Sequence, residues 1–395
     1  MWLKLLIVLS LLLLLLAIKA NLSLSIFLPG LLLAFLFKMT PTEIIHSTWK
    51  SISDWNTIKL LLIIFLILIL VEIQKEKGSL QKLVKGMEGL FGNKWMTITL
   101  SPSLIGLLPM PGGALVSAPV LNEALGEGEV SPELKTFINY WFRHIWEYFW
   151  PLYQGFILTV TIFGIKTIEL IKNQFYFTFI AAALGYVSML IFLPRLKNDI
   201  KKEPFIISIK TLIKGTWEIL LIIIMLILFP RLDILVSLSI AIISSIVISI
   251  PKRKIWGIIV RAFNLRILLL LASVMIFKGY ILNSELSSLL KNSISGSHSL
   301  LAFLMVSIPF SLGFLTGVNT AFAGISFPLF IPIVGHNLNY ISLLYISGFS
   351  GVLLSPLHLC LVLSAEYYEA KLIRVYKYLT LPVLIILALA IIVFV

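Results

Sequence analysis

Residues 99–125 read Thr99-Leu-Ser-Pro102-Ser-Leu-Ile-Gly106-Leu-Leu-Pro109-Met-Pro111-Gly112-Gly113-Ala-Leu-Val-Ser-Ala-Pro119-Val-Leu-Asn-Glu-Ala-Leu125. The stretch is apolar enough to enter a bilayer, yet Pro109, Pro111, Gly112 and Gly113 interrupt its middle. Each half is then about a dozen residues long, whereas a transmembrane helix needs about 20. Two half-length helices joined at a Pro-Gly tip describe a hairpin that enters and leaves on one side. Irregular backbone at that depth is tolerated only where protein buries it or where it lines a water-filled cavity. The hairpin is therefore a first pointer to a site.

The composition sets the class. Hydrophobic residues make up 59% of the 395-residue chain and charged residues only 12%, and the mean hydropathy is +1.05. Soluble domains do not look like this, so the expected fold is an all-α polytopic membrane protein. The net charge of +13 does not indicate nucleic acid, because the Lys and Arg residues sit in short loops between apolar runs, where they act as topology signals. The single cysteine, Cys360, excludes an internal disulfide and a multi-cysteine metal site. Residues 1–18 have the outline of a signal peptide, but the run Leu5–Ile18 is long for one and ends at Lys19 without a small-residue cleavage site. A retained first helix is expected.

Apolar runs at 2–18, 22–38, 57–74, 132–165, 168–193, 206–229, 232–250, 264–282, 340–365 and 375–395 make ten expected spans. Regions 95–125 and 299–334 are apolar but interrupted and read as two re-entrant hairpins. Amphipathic spacing predicts interfacial helices over 79–91 and 283–295. Basic clusters occur around Lys75–Lys94, Arg195–Lys202, Lys252–Lys254 and Lys371–Lys377. With all four in the cytoplasm of a plasma-membrane protein the spans alternate correctly and the N-terminus lies outside. A ten-span count without hairpins gives the same sides, so the charges are compatible with re-entrance without requiring it.

The order of elements repeats. Residues 1–197 and 204–395 each hold three spans, an interfacial helix, a hairpin and two more spans, and the halves start on opposite sides. Pro102-Ser-Leu-Ile-Gly106-Leu-Leu answers Pro309-Phe-Ser-Leu-Gly313-Phe-Leu at an offset of 207; Pro119 answers Pro328 at 209, and Pro151 answers Pro356 at 205. Inverted repeats with broken helices near the midplane are a common architecture of secondary transporters, with the site where the breaks meet.

The second tip, Thr316-Gly317-Val318-Asn319-Thr320-Ala321, offers uncharged oxygens and donors. Half-helix N-termini at such tips favour an anion, and exposed carbonyls there can hold sodium. The bland alternative is that small residues simply allow close helix packing. The most polar membrane stretch is Asn139-Tyr-Trp-Phe-Arg143-His144-Ile-Trp-Glu147-Tyr-Phe-Trp-Pro151-Leu-Tyr-Gln154-Gly155. On a continuous helix Asn139, Arg143, Glu147 and Gln154 share an arc of about 80°. Two readings stand for it. Arg143 attracts an anionic substrate while His144 or Glu147 takes up a proton, or Arg143 and Glu147 form a structural pair inside an aromatic belt of Trp141, Trp146 and Trp150. Pro151 and Gly155 are expected to break this helix, as Ser355-Pro356 breaks its counterpart. His358 reads as a packed histidine. No phosphate-binding Gly-x-x-x-x-Gly-Lys loop and no zinc motif of the His-Glu-x-x-His or Cys-x-x-Cys kind is present. A hydrolase pair of Ser355 and His358 straddles a proline and lacks an evident oxyanion loop.

The Pro109-Met-Pro-Gly-Gly113 tip and the string Trp141-Phe-Arg-His-Ile-Trp-Glu147 resemble a membrane family known as domain of unknown function 401, over nearly the whole chain. The resemblance implies membership of the ion-transporter superfamily, alongside gluconate permeases, dicarboxylate carriers and sodium-coupled divalent-anion symporters. It also implies two opposed hairpins, a scaffold half that often forms a homodimer, and an elevator-like motion. Sodium-coupled relatives carry Ser-Asn-Thr at each tip; Val318-Asn319-Thr320 matches in part, and Pro111-Gly112-Gly113 departs.

The leading expectation is a secondary transporter of a small anion, an organic carboxylate, coupled to protons or sodium. Pro111, Gly112, Gly113, Arg143, Gly317, Asn319, Thr320 and Ser355 are the expected substrate contacts. His144, Glu147, Asn319 and Thr320 are the expected coupling residues. Neither a cofactor nor a metal other than sodium is expected, and the only other partners are the lipid bilayer and a second copy of the chain. The alternatives are a membrane-embedded enzyme acting on lipid or peptide, with a histidine near a Ser or Glu oxygen, and a non-transporting scaffold.

Overall fold

A computed structural model describes residues 1–79, 81–83, 86, 93–110, 112–126, 130–194, 204–229, 232–294 and 298–395. The described chain is 84% helix, without strands. Local signals set most boundaries. Helices α1 (Trp2–Ala17) and α2 (Leu22–Leu36) stop early, because Lys19 and Lys38 adopt positive φ and their successors bond back, Ala20 N–H to the Leu15 carbonyl and Met39 N–H to the Ala34 carbonyl. These are left-handed C-terminal stops. A capping box of Thr40 and Glu43 starts α3 (Pro41–Ser53). The Thr40 backbone N–H and hydroxyl hold the Glu43 carboxyl below its usual range. Asp54 caps α4 (Trp55–Glu76).

The next helices are α5 (Lys94–Gly106), α6 (Ala114–Leu125) and α7 (Pro132–His144). A 3-10 turn over Ile145–Tyr148 follows, then α8 (Gln154–Phe163), α9 (Thr167–Gln174) and α10 (Tyr176–Phe192). The second half holds α11 (Phe205–Leu228), α12 (Ile234–Ser249), α13 (Lys252–Ala262), α14 (Leu265–Asn283) and α15 (Leu286–Ile294). It ends with α16 (His298–Thr316), α17 (Asn319–Val334), α18 (Leu338–Leu353), α19 (Leu359–Tyr367) and α20 (Leu372–Phe394).

Six helices among the described residues are long and apolar enough to cross a membrane: Trp55–Glu76, Thr167–Phe192, Ile206–Leu228, Leu265–Asn283, His298–Thr316 and Leu372–Phe394. The spans 132–165 and 340–365 are broken as expected at Pro151 and Pro356, each into two helices, with breaks at 149–153 and 354–358. The hairpin arms α5 and α6 have 13 and 12 residues, as their sequence predicts. The second hairpin is longer, with arms of 19 and 16 residues, because nothing in 298–316 stops the helix before Gly317.

Two helices were not anticipated. Helices α3 and α13 are short and amphipathic and carry exposed Trp49 and Trp256, a composition suited to a membrane interface. The interfacial helix expected at 283–295 is present as α15. Of the one expected at 79–91, residues 80, 84, 85 and 87–91 lie outside the described residues, as does the basic segment 195–203. Lys254 Nζ lies 2.6 Å from Glu76, and Arg261 reaches both Glu72 and Glu76 at 3.1 Å. The basic ends of α4 and α13 therefore share one end of the bundle.

Packing pairs the elements reciprocally. Helix α5 packs on α7 and α16 on α18; α2 packs on α14 and α12 on α4; α3 packs on α14 and α13 on α4; α6 packs on α19 and α17 on α8. Two close approaches recur at equivalent places. A Cβ on Gly106 would lie 2.1 Å from the Arg143 carbonyl oxygen, and one on Gly313 would lie 2.1 Å from that of Gly348. Only glycine lets those helix pairs come together.

Candidate functional site

Each hairpin tip is tied to a broken helix. In the first half the Trp150 indole donates to the Leu107 carbonyl at 2.9 Å and the Tyr153 hydroxyl to that of Gly106 at 2.5 Å. The Trp146 indole reaches the Ser103 carbonyl at 2.8 Å. In the second half the Ser355 hydroxyl donates to the Phe314 carbonyl at 2.6 Å. Trp150 and Ser355 precede the two matched prolines and hold carbonyls at matched hairpin positions. Trp141 donates to the Ala181 carbonyl at 2.8 Å. The expected aromatic belt is thus corrected: these indoles face protein and satisfy backbone carbonyls of hairpin and helix. Trp150→Phe should lower stability in detergent by about 1 kcal/mol, the net worth of one hydrogen bond. Chemical denaturation beside Trp256→Phe, a change at an exposed ring, measures it.

Where the two tips approach the breaks they leave a cavity of about 280 Å³, lined by Pro109 and Met110 of the first tip, Gly317 to Thr320 of the second, and Arg143, His144, Glu147, His358 and Cys360. Arg143, His144 and Glu147 are all buried. The Arg143 guanidinium donates from Nη2 to the Met110 carbonyl at 2.9 Å. It also lies against Gly113, where a Cβ would come within 2.4 Å of it. Its Nε and Nη1 have no hydrogen-bond partner.

The Arg143–Glu147 pair of the second reading is not formed. Helix α7 ends at His144 and tightens into the 3-10 turn, so the four-residue spacing no longer stacks the two side chains, and Gln154 starts a separate helix. The Glu147 carboxylate instead accepts from the Asn319 side-chain amide across the interface between the two halves. Its Oε1 lies 3.6 Å from His144 Nε2. The Tyr345 hydroxyl donates to the Glu147 carbonyl at 2.8 Å.

His358 is not merely packed. Its Nδ1 lies 2.7 Å from the Gly317 carbonyl and its Nε2 lies 3.1 Å from His144 Nε2. His144 Nδ1 lies 2.6 Å from the Tyr140 carbonyl. Gly317 has φ +64°, and a Cβ there would meet the His358 backbone nitrogen at 2.7 Å, so the tip can be seated on His358 only by glycine. The Sγ of Cys360 completes a group: its atom and the ring nitrogens of His144 and His358 all lie within 4.8 Å of one another.

Residues 2–395 match the family model described as "Protein of unknown function (DUF401)". The chain belongs to the DUF401 family. No curated protein matches it.

In this DUF401 protein the cavity brings together Arg143, His144, Glu147, Gly317, Asn319 and Thr320 of the residues singled out by sequence. Gly112 takes a positive φ of +72° near Leu363, and Gly113 backs the guanidinium; both shape the first tip without lining the cavity. Pro111 lies outside the described residues. Ser355 is corrected from a substrate contact to a structural one, because its hydroxyl is engaged by the Phe314 carbonyl and the Leu357 N–H. The Ser355–His358 hydrolase pair fails for the same reason, since each side chain bonds a different backbone carbonyl. Sequence reasoning missed Cys360 and the pairing of His144 with His358. The His358-Leu-Cys360 spacing beside a proline break was the available signal, but nothing in the linear order placed it against a residue some two hundred positions away.

Proposed function

We propose that this DUF401 protein is a multi-pass secondary transporter of a small organic anion, driven by a proton or sodium gradient. The observation that carries the reading is Arg143, a buried cation with two unpartnered N–H groups at a cavity between two hairpin tips. Buried guanidinium donors without partners are costly, and a carboxylate matches their fork. Glu147 and His144, in contact with the same cavity, are the groups that would carry a coupled proton; Asn319, Thr320 and tip carbonyls are the ligands a sodium ion would use.

The reciprocal packing and the matched glycine approaches favour two inverted repeats, 1–197 and 204–395, of the ion-transporter superfamily kind. In that arrangement the chain crosses the plasma membrane about ten times, with two re-entrant hairpins and the N-terminus outside, and pairs as a homodimer. Purified protein in liposomes should accumulate at least one member of a panel of labelled mono- and dicarboxylates when a pH or sodium gradient is imposed, and lose it with an ionophore. Failure with every anion under both gradients overturns the proposal. The enzyme alternative keeps one supporting observation, the 3.6 Å approach of His144 to Glu147; product release from lipid or peptide would speak for it.

A further inference from the structure

The two imidazoles at the centre of the cavity pose a chemical problem. Each Nδ1 lies against a backbone carbonyl, Tyr140 for His144 and Gly317 for His358. A carbonyl oxygen only accepts, so each Nδ1 carries the ring proton. Both neutral rings then present a lone pair at Nε2, and these two nitrogens are 3.1 Å apart. Two lone pairs at that distance repel unless a cation lies between them.

We propose that His144, His358 and Cys360 bind a zinc-class divalent transition-metal ion. Metal-bound histidines characteristically donate their other ring N–H to a carbonyl or carboxylate, which fixes the tautomer. Two nitrogens 3.1 Å apart, each about 2.0–2.1 Å from a metal, subtend about 100° at it, near tetrahedral. The sulfur closes the group within 4.8 Å. Imidazole and thiolate select zinc, cobalt or copper over magnesium and calcium. A shared proton would also relieve the repulsion of the two nitrogens; the Cys360 sulfur within 4.8 Å of both favours the metal ion. Both imidazoles are held from behind, His144 by the Tyr140 carbonyl and His358 by that of Gly317 in the second tip. The ligands come from both halves of the chain, so the ion would cross-link the first broken helix to the second.

The metal reading does not depend on transport, since with His144 on the ion Glu147 remains to carry a coupled proton, and it is read on the full chain in detergent. Protein carrying a tag without histidine is stripped with chelator and titrated with Zn²⁺ and Co²⁺. The expected result is about one ion per chain, and for Co²⁺ a near-ultraviolet thiolate charge-transfer band with visible bands of tetrahedral intensity. Cys360→Ser should abolish the charge-transfer band, and His144→Gln with His358→Gln should weaken Zn²⁺ binding at least tenfold. The wild-type titration decides even if a variant fails to fold. Absence of stoichiometric binding, or an octahedral cobalt spectrum without the thiolate band, overturns the proposal and leaves the transport reading untouched. Uptake failure with metal bound would have the opposite effect.

Discussion

Asn319→Ala should cut gradient-driven uptake about fivefold or more while the chain still folds. The Asn319 amide is the partner of the buried Glu147 carboxylate, and Asn319 itself begins α17 at the second tip. Its Cβ closes against Gly155, where an added Cβ would lie 2.7 Å away. Alanine keeps that contact and removes only the amide. A buried acceptor stripped of its partner costs about 1–3 kcal/mol. Carried into the population of assembled sites, that is about a 5- to 150-fold loss, since about 1.4 kcal/mol is a factor of ten. Initial uptake rates in liposomes, normalised to inserted protein, are the measurement. Rates within twofold of wild type would remove Asn319 from the mechanism, and with it the idea that the second tip works through Glu147.

The largest stability effect is expected far from the cavity. Lys77→Met should destabilise the folded chain by about 3–5 kcal/mol, because it leaves a charge buried without its counter-ion. Glu218 lies within α11 and is fully buried. It is paired with Lys77 and also accepts from Gln74 at 2.9 Å and from Ser245 at 2.7 Å. Three helices meet on that carboxylate. Adding Glu218→Gln to Lys77→Met removes the orphaned charge and should recover most of the loss, the signature of a coupled pair. Denaturation of the single and double variants in detergent tests this. A loss below about 1 kcal/mol for Lys77→Met would mean that water reaches Glu218.

Much of the architecture was legible because its signals are local. The half-length arms of the first hairpin follow from Pro109 and Gly112 and Gly113. The tip at 316–319 follows from Gly317, and the two helix breaks from Pro151 and Pro356. Helices α3 and α13 escaped because their apolar faces are narrow: α3 buries Ile44 and Ser47, and α13 buries Ile258 and Ala262. Polar residues dominate α3, and four basic residues flank the short apolar run of α13, so without its neighbours each reads as a loop. The aromatic belt was misread for a related reason. A tryptophan near the end of an apolar run suits an interface or a buried carbonyl equally well, and only the hairpin lying beside it decides.

The sequence by itself determined the solvent of this protein, the positions where its helices break, and the residue types available for chemistry, since hydropathy, proline and glycine act within a turn or two of where they stand. Tertiary structure alone decided which of those residues meet. Arg143 turned to the Met110 carbonyl, Glu147 to Asn319, and His144 to His358. The end of α7 at His144 rotates the next side chains off the face a continuous helix would have given them, and the partners of Glu147 and His144 come from chain 172 and 214 residues away. Local signals carry no record of that pairing; it arises only when the two broken helices pack against the two tips.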